Sequence, residues 1–282
     1  MKKYTTLKEV AHGHQLISRT IMMTHKTPDR LKKLLVLVEG TDDIPVYEVF
    51  FNKNFVDIQD CYGCVVVEDV HKIIKSETNW KYLSIRDSDF LVLSNKKKYS
   101  DDNFFYTDCH DSEMMMFNNP RLIKSVMNKL IGNSIDGIKE RICNELYWVS
   151  MLKWFNMLRN LNYKFNDLDL AHLSWNAQIS TTEALRFFIP TKNSPKSFPL
   201  KTFNIFQSKN KNPNINHLIN GHDFITRWAA IIKREYNQQY SNREFRKIIC
   251  NSYTIKMAKS TALYQNIMNW ELSNKLSVLN YQ

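Results

Sequence analysis

Five hydrophobic residues in succession, Leu34-Leu35-Val36-Leu37-Val38, stop abruptly at Glu39-Gly40. A short, unbroken apolar run predicts a strand buried on both faces, as in a parallel sheet. Further strands are predicted over 55–61, 81–86 and 103–107. Between the first two, Ile44, Val46, Tyr47, Val49, Phe50 and Phe51 recur at helical spacing, which predicts a helix from 44 to about Lys53. Pro45 falls in its first turn, where a missing N–H costs nothing. A second helix is predicted over 65–76. A third opens at Asp111-Ser112-Glu113, with Ser112 or Asp111 as its cap. Strands alternating with helices at this spacing predict an α/β fold with a parallel sheet flanked by helices.

The pattern differs outside this region. Residues 1–33 predict a helical lead-in with a turn at Thr27-Pro28-Asp29. After Pro120 the apolar period predicts helices over 121–131, 134–160, 181–188, 221–240 and 242–250, and a long terminal helix over 258–279. Residues 190–217, rich in Lys, Asn, Ser and Pro, predict a long loop or insertion. The predicted organisation is a lead-in (1–33), an α/β domain (34–120) and a basic, mainly α-helical domain (121–282) for substrate binding or dimerisation.

Charge sharpens this division. Residues 1–120 hold 16 Lys/Arg and 18 Asp/Glu, whereas 121–282 hold 23 and 10. An acidic part followed by a basic part suits a polyanionic substrate, nucleic acid above all, although a Lys- and Asn-rich composition bias gives the same numbers. The five cysteines are odd in number and no secretory signal is recognised, so a reducing cytoplasm is the expected compartment. No run approaches the ~18 apolar residues of a membrane span, and no membrane partner is expected.

The acidic residues carry the candidate chemistry. Glu39 and Asp43 flank the turn after the first predicted strand. Asp87 and Asp89 form an Asp-x-Asp pair after the third, and Glu113 follows the fourth. In a parallel α/β sheet such strand ends converge on one edge, where ligands bind. If the chain is extended there, Asp87 and Asp89 point the same way. Hard carboxylate oxygens suit one or two Mg²⁺ or Mn²⁺ ions, which serve phosphodiester hydrolysis. Each acid alone reads as an ordinary turn or cap residue. The ordered set is the stronger signal.

That set is Val38-Glu39-Gly40-Thr41-Asp42-Asp43, Ile85-Arg86-Asp87-Ser88-Asp89-Phe90 and Tyr106-Thr107-Asp108-Cys109-His110-Asp111-Ser112-Glu113. It resembles the Toprim domain in the form found in OLD-like nucleases, in particular the stand-alone AriB type of the PARIS anti-phage systems, over roughly 34–120. Gly221-His222-Asp223 is similar to a Gly-His-Asp element in the helical part of that family. The resemblance implies Glu39 as metal ligand and general acid/base, and Asp87 and Asp89 as the metal-binding pair. It implies Asp43 and Glu113 as ligands of a second ion, with Asp108 and Asp111 competing for the last position. It also implies an anti-phage effector that an ABC-type (AriA-like) ATPase partner holds until infection, and that then cleaves host tRNA as a homodimer. A Toprim DNA nuclease is one alternative. A non-catalytic nucleic-acid-binding or complex-forming protein with a vestigial Toprim fold is another.

Weaker signals surround these. His110 lies among the acids and either contacts phosphate or shuttles a proton, or belongs to a helix start. His222 and Asp223 read as a helix start or an accessory to the site. Lys96-Lys97-Lys98 is placed to meet a backbone phosphate, or is a solvated charge run. Cys61-x-x-Cys64 has only Cys109-His110 to complete a zinc site, so buried free thiols are the expected reading.

Overall fold

The computed structural model describes residues 7–96, 99–132, 136–165 and 184–281. Its contacts divide the chain into two compact units. The first, here the sheet unit, comprises Met1–Asp87, Lys98–Asp108 and Tyr253–Gln282. The second, the helical unit, comprises Ser88–Lys97 and Cys109–Ser252. This division differs from the boundary at 120 expected from the sequence: residues 88–97 and 109–120 belong with the helices, and residues 253–282 belong with the sheet.

The sheet unit contains four parallel strands, β1 (Leu34–Val38), β2 (Val56–Asp60), β3 (Tyr82–Arg86) and β4 (Phe104–Tyr106), in the order β2-β1-β3-β4. Every residue of β1 is buried, which accounts for its unbroken apolar run. Helix α1 (Leu7–His25) and helix α3 (Cys64–Glu77) cover one face. There Ile21, Leu35, Leu37, Val67, Val70, Ile74, Tyr82 and Phe104 form one cluster. Between β1 and β2 lies α2 (Ile44–Phe50), whose Pro45 stands in the first turn as expected.

The chain runs from β1 outward to β2, then returns past β1 to β3. The direction of winding therefore reverses between β1 and β3. In open α/β sheets this switch point opens a crevice at the carboxyl ends of the strands. Glu39 directly follows β1 and Asp87 directly follows β3, so the topology alone brings these two residues to the crevice.

The terminal segment forms two helices, α11 (Ile255–Ala258) and α12 (Ala262–Ser273), rather than the single helix expected over 258–279. Thr261 restarts the helix by accepting the Tyr264 N–H. After α12 the chain turns at Lys275 (φ 52°), and Leu279 pairs with Phe51 in an antiparallel bridge. The Asn280 amide donates to the carbonyls of Val49 and Phe51 at 3.1 and 2.8 Å. This closure fastens the C-terminal segment to the end of α2.

The helical unit contains α4 (Ser112–Phe117), α5 (Pro120–Ile131), α6 (Ile138–Leu158), α7 (Leu200–Lys209), α8 (Ile215–Leu218), α9 (Gly221–Tyr236) and α10 (Asn242–Cys250). Trp228, Phe117, Phe224 and Phe245 pack together in its core. Two expectations change here. The stretch 190–217 carries α7 and α8, since Phe203 is buried against Phe155 and gives the polar segment one apolar side. Of the helix expected over 181–188, Ala184 is helical, and from Leu185 the chain instead forms a 3-10 turn (Leu185–Phe187) and a strand β6 (Phe188–Ile189) paired with β5 (Lys164–Phe165). Residues 181–183 lie outside the described residues.

Candidate active site

Within the sheet unit, Glu39, Asp43 and Asp87 gather at the carboxyl edge. The Asp87 N–H points to Glu39 Oε2 over a long 3.4 Å. Asp43 lies in the 3-10 turn after β1, where its Oδ2 accepts the Gly40 N–H at 2.9 Å. Asp43 thus closes the turn that follows Glu39, a local reason for an acid at this position. Tyr47 is buried on α2. Burial first, then Asp43, Asp87, Tyr253 and Glu39, push its hydroxyl well above its ordinary value. An oxygen of Glu39 and the Cys64 sulfur lie within 4.8 Å of one another. Burial and the negative charges of Asp60 and Glu39 push the Cys61 thiol up, so it stays protonated and inert.

Asp89 is the third residue past β3 and the second of the helical unit's first segment. Its backbone is left-handed (φ 44°), so the strand alternation expected to aim Asp87 and Asp89 together does not continue through it. Asp tolerates this conformation better than most residues. The Asp89 N–H donates to the His110 carbonyl at 2.7 Å. His110 is buried, with Nδ1 3.0 Å from the His217 carbonyl. A carbonyl only accepts, so Nδ1 carries the proton, and Nε2 faces Asp89 Oδ1 at 3.9 Å.

The other sequence candidates have definite partners. Asp108 caps α12, accepting the N–H groups of Ala262 and Leu263 at 2.5 and 2.7 Å. Asp111 caps α4 through the Met114 N–H at 2.8 Å and also accepts the Gly221 N–H at 2.6 Å. Glu113 is buried in an ion pair with Arg246, and His222 Nε2 lies 3.5 Å from it. Asp223 is buried against Lys153 Nζ at 2.6 Å. Lys96 Nζ reaches the Met157 sulfur at 3.5 Å, while Lys97 and Lys98 lie outside the described residues.

The segments Asp111-Ser112-Glu113 and Gly221-His222-Asp223 therefore meet in the helical unit. Gly221 is required there. A Cβ on it would come within 2.3 Å of the Glu113 Cβ and 2.6 Å of Asp111 Oδ1. Sequence reasoning missed Tyr47 beside the acids and Arg246 on Glu113. Tyr47 reads as one apolar position of a helix, and Arg246 as one basic residue among many. Neither carries a local signal.

The chain matches no family model, no curated protein and no solved structure. Glu39, Asp43 and Asp87 form a set of hard oxygen donors. Carboxylate oxygens are the donor type that suits Mg²⁺ or Mn²⁺.

Proposed function

We propose that the protein is a divalent-metal-dependent phosphodiesterase acting on nucleic acid, with Glu39, Asp43 and Asp87 as its working carboxylates. The observation that supports this most directly is that Glu39 and Asp87 directly follow neighbouring strands at the switch point of a parallel sheet, with the Asp87 N–H 3.4 Å from Glu39 Oε2. They would hold Mg²⁺ or Mn²⁺, which when bound supplies charge neutralisation and a more acidic water. Glu39 accepts the proton as the water oxygen attacks phosphorus. The bond from phosphorus to the leaving oxygen breaks, and the proton is returned to that oxygen. The Gly40 N–H fixes Asp43, and the Asp87 N–H orients Glu39.

The ordered motifs that resemble the OLD-like Toprim nucleases agree with this chemistry. They extend the proposal to an AriB-like anti-phage effector that acts on tRNA in the cytoplasm as a homodimer after release from an ATPase partner. No described helix is long and apolar enough to cross a membrane. The test is cleavage of end-labelled tRNA and duplex DNA by the full chain, with Mg²⁺ or with EDTA, beside Glu39→Gln. The expected result is Mg²⁺-dependent cleavage, stronger on tRNA, that Glu39→Gln abolishes. Cleavage that persists in Glu39→Gln, or no cleavage of either polymer by folded wild type in Mg²⁺ or Mn²⁺, overturns the proposal. Stronger cleavage of DNA keeps the chemistry and rejects the tRNA preference.

A further inference from the structure

The helical unit contains a groove of about 910 Å³ between α6, α7 and the segment leading into α8. It lies wholly within this unit. Its volume is in the range of pockets that bury most of a small ligand. Three kinds of side chain line it, and each recognises a different part of one ligand class.

Tyr147 and Trp148, both half-buried, supply adjoining aromatic surfaces, with ring centroids 5.2 Å apart at 84°. The Tyr147 hydroxyl donates to the Lys211 carbonyl at 3.2 Å, which fixes its ring before any ligand arrives. Four asparagines and a glutamine also line the groove. Side-chain amides offer a donor and an acceptor side by side, the pattern that pairs with the edge of a nucleobase. Lys139 and Lys211 supply positive charge. Lys139 Nζ is held by the amide oxygens of Asn216 and Asn118, at 2.9 and 3.5 Å, and these neutral partners leave its charge uncancelled. Glu140 is the one carboxylate in the lining among the described residues. Burial raises the Cys143 thiol to about 11, so this residue is a neutral part of the wall.

We infer that this groove binds a nucleotide, with the base stacked on Trp148 and edged by the amides, and the phosphate held by Lys139 and Lys211. Two sources present that chemistry, a free mononucleotide and an unpaired nucleotide within a strand. The strand source rests on the phosphodiesterase reading, while the free-nucleotide source does not. Nothing in the groove requires a metal ion, which separates its test from that of the carboxylate edge.

The experiment is fluorescence anisotropy on the full chain in EDTA, with N-methylanthraniloyl-ATP and fluorescein-labelled decaadenylate RNA as probes. At least one probe should bind. Trp148→Ala should weaken that probe about tenfold, as loss of a stacking platform does, and Trp148→Phe should restore most of the affinity. Lys211→Glu should weaken binding and lower the salt dependence by about one unit. Competition by unlabelled ATP against the RNA assigns the groove to free nucleotides. RNA binding that ATP does not displace assigns it to strands. The inference fails if neither probe binds, or if both bind with affinities unchanged in Trp148→Ala and Lys211→Glu. Should Trp148→Ala unfold by circular dichroism, Lys211→Glu, on an exposed side chain, decides alone. Binding that persists in a chain unable to hydrolyse RNA in Mg²⁺ overturns only the catalytic reading. Hydrolysis without groove-dependent binding overturns only this one.

Discussion

Buried carboxylates on three helices of one unit and carboxylates at the sheet edge of the other have different partners. In the helical unit three buried acids meet a base on another helix, while buried Asp111 takes the N–H groups of Met114 and Gly221. Glu113 meets Arg246, Asp223 meets Lys153, and Glu145 is within 2.5 Å of Arg227. In the sheet unit, Glu39 and Asp43 take backbone N–H groups, and with Asp87 they concentrate negative charge on one edge. Over its whole sequence the helical unit carries 22 Lys/Arg and 12 Asp/Glu, whereas the sheet unit carries 17 and 16. Its surplus of base allows the helical unit to neutralise its own acids and stay strongly positive. Residue type alone does not separate a structural carboxylate from a reactive one.

The largest effect that sharpens this contrast is catalytic. Asp87→Asn should lower Mg²⁺-dependent hydrolysis about 10²–10⁴-fold, the range for losing a group that acts on the reacting atoms, while urea unfolding stays close to wild type. A fall in stability large enough to explain the lost activity would show Asp87 to be structural and erase the contrast.

Next comes the cost of breaking a pair in the helical unit. Arg246→Met leaves Glu113 buried with the His222 ring 3.5 Å away and should destabilise the fold by about 3 kcal/mol. Chemical denaturation measures this directly. A change under about 0.5 kcal/mol, the size of an ordinary surface substitution, would mean that Glu113 does not depend on its base.

Gly221→Ala is the steric counterpart. The added methyl meets the Glu113 Cβ and the Asp111 carboxylate, which also accepts the Gly221 N–H. Overpacking of this kind costs about 1–3 kcal/mol. A midpoint in urea unchanged from wild type would show that α4 and the start of α9 part easily.

These positions also mark what the sequence makes legible. Leu34–Val38 is readable because full burial on both sheet faces requires an unbroken apolar run. Glu39 and Asp87 are readable because parallel topology places strand ends together whatever the surrounding side chains. The pairing of residues 111–113 with 221–223 is invisible, because contacts more than 100 residues apart leave no periodic trace. The terminal helix is overextended for a different reason. Apolar residues from Leu263 to Leu279 continue the helical pattern, while the turn at Lys275 and the bridge from Leu279 to Phe51 depend on tertiary pairing. The left-handed Asp89 likewise breaks a strand pattern that local sequence supports.

The smallest effect tests the sheet unit away from its carboxyl edge. Asp57 lies near the amino-terminal end of β2, where His25 Nδ1 approaches it at 2.7 Å, Gln59 donates at 2.7 Å and Arg30 at 3.3 Å. Burial alone would raise its carboxyl. The hydrogen bonds from His25 and Gln59, with the charges of Arg30 and His25, outweigh burial and leave it below its ordinary value. A carboxylate depressed on folding contributes stability in full above its unfolded pKa of about 3.9, and loses it as pH falls through the lower folded value. Asp57→Asn should therefore be weaker than wild type at pH 7, by about 1 kcal/mol. The gap should narrow as the pH is lowered below 4, as measured by urea unfolding across that range. An equal gap at pH 7 and pH 3 would mean that packing, not charge, holds Asp57. The amino-terminal end of the sheet would then owe nothing to the Arg30 counter-charge.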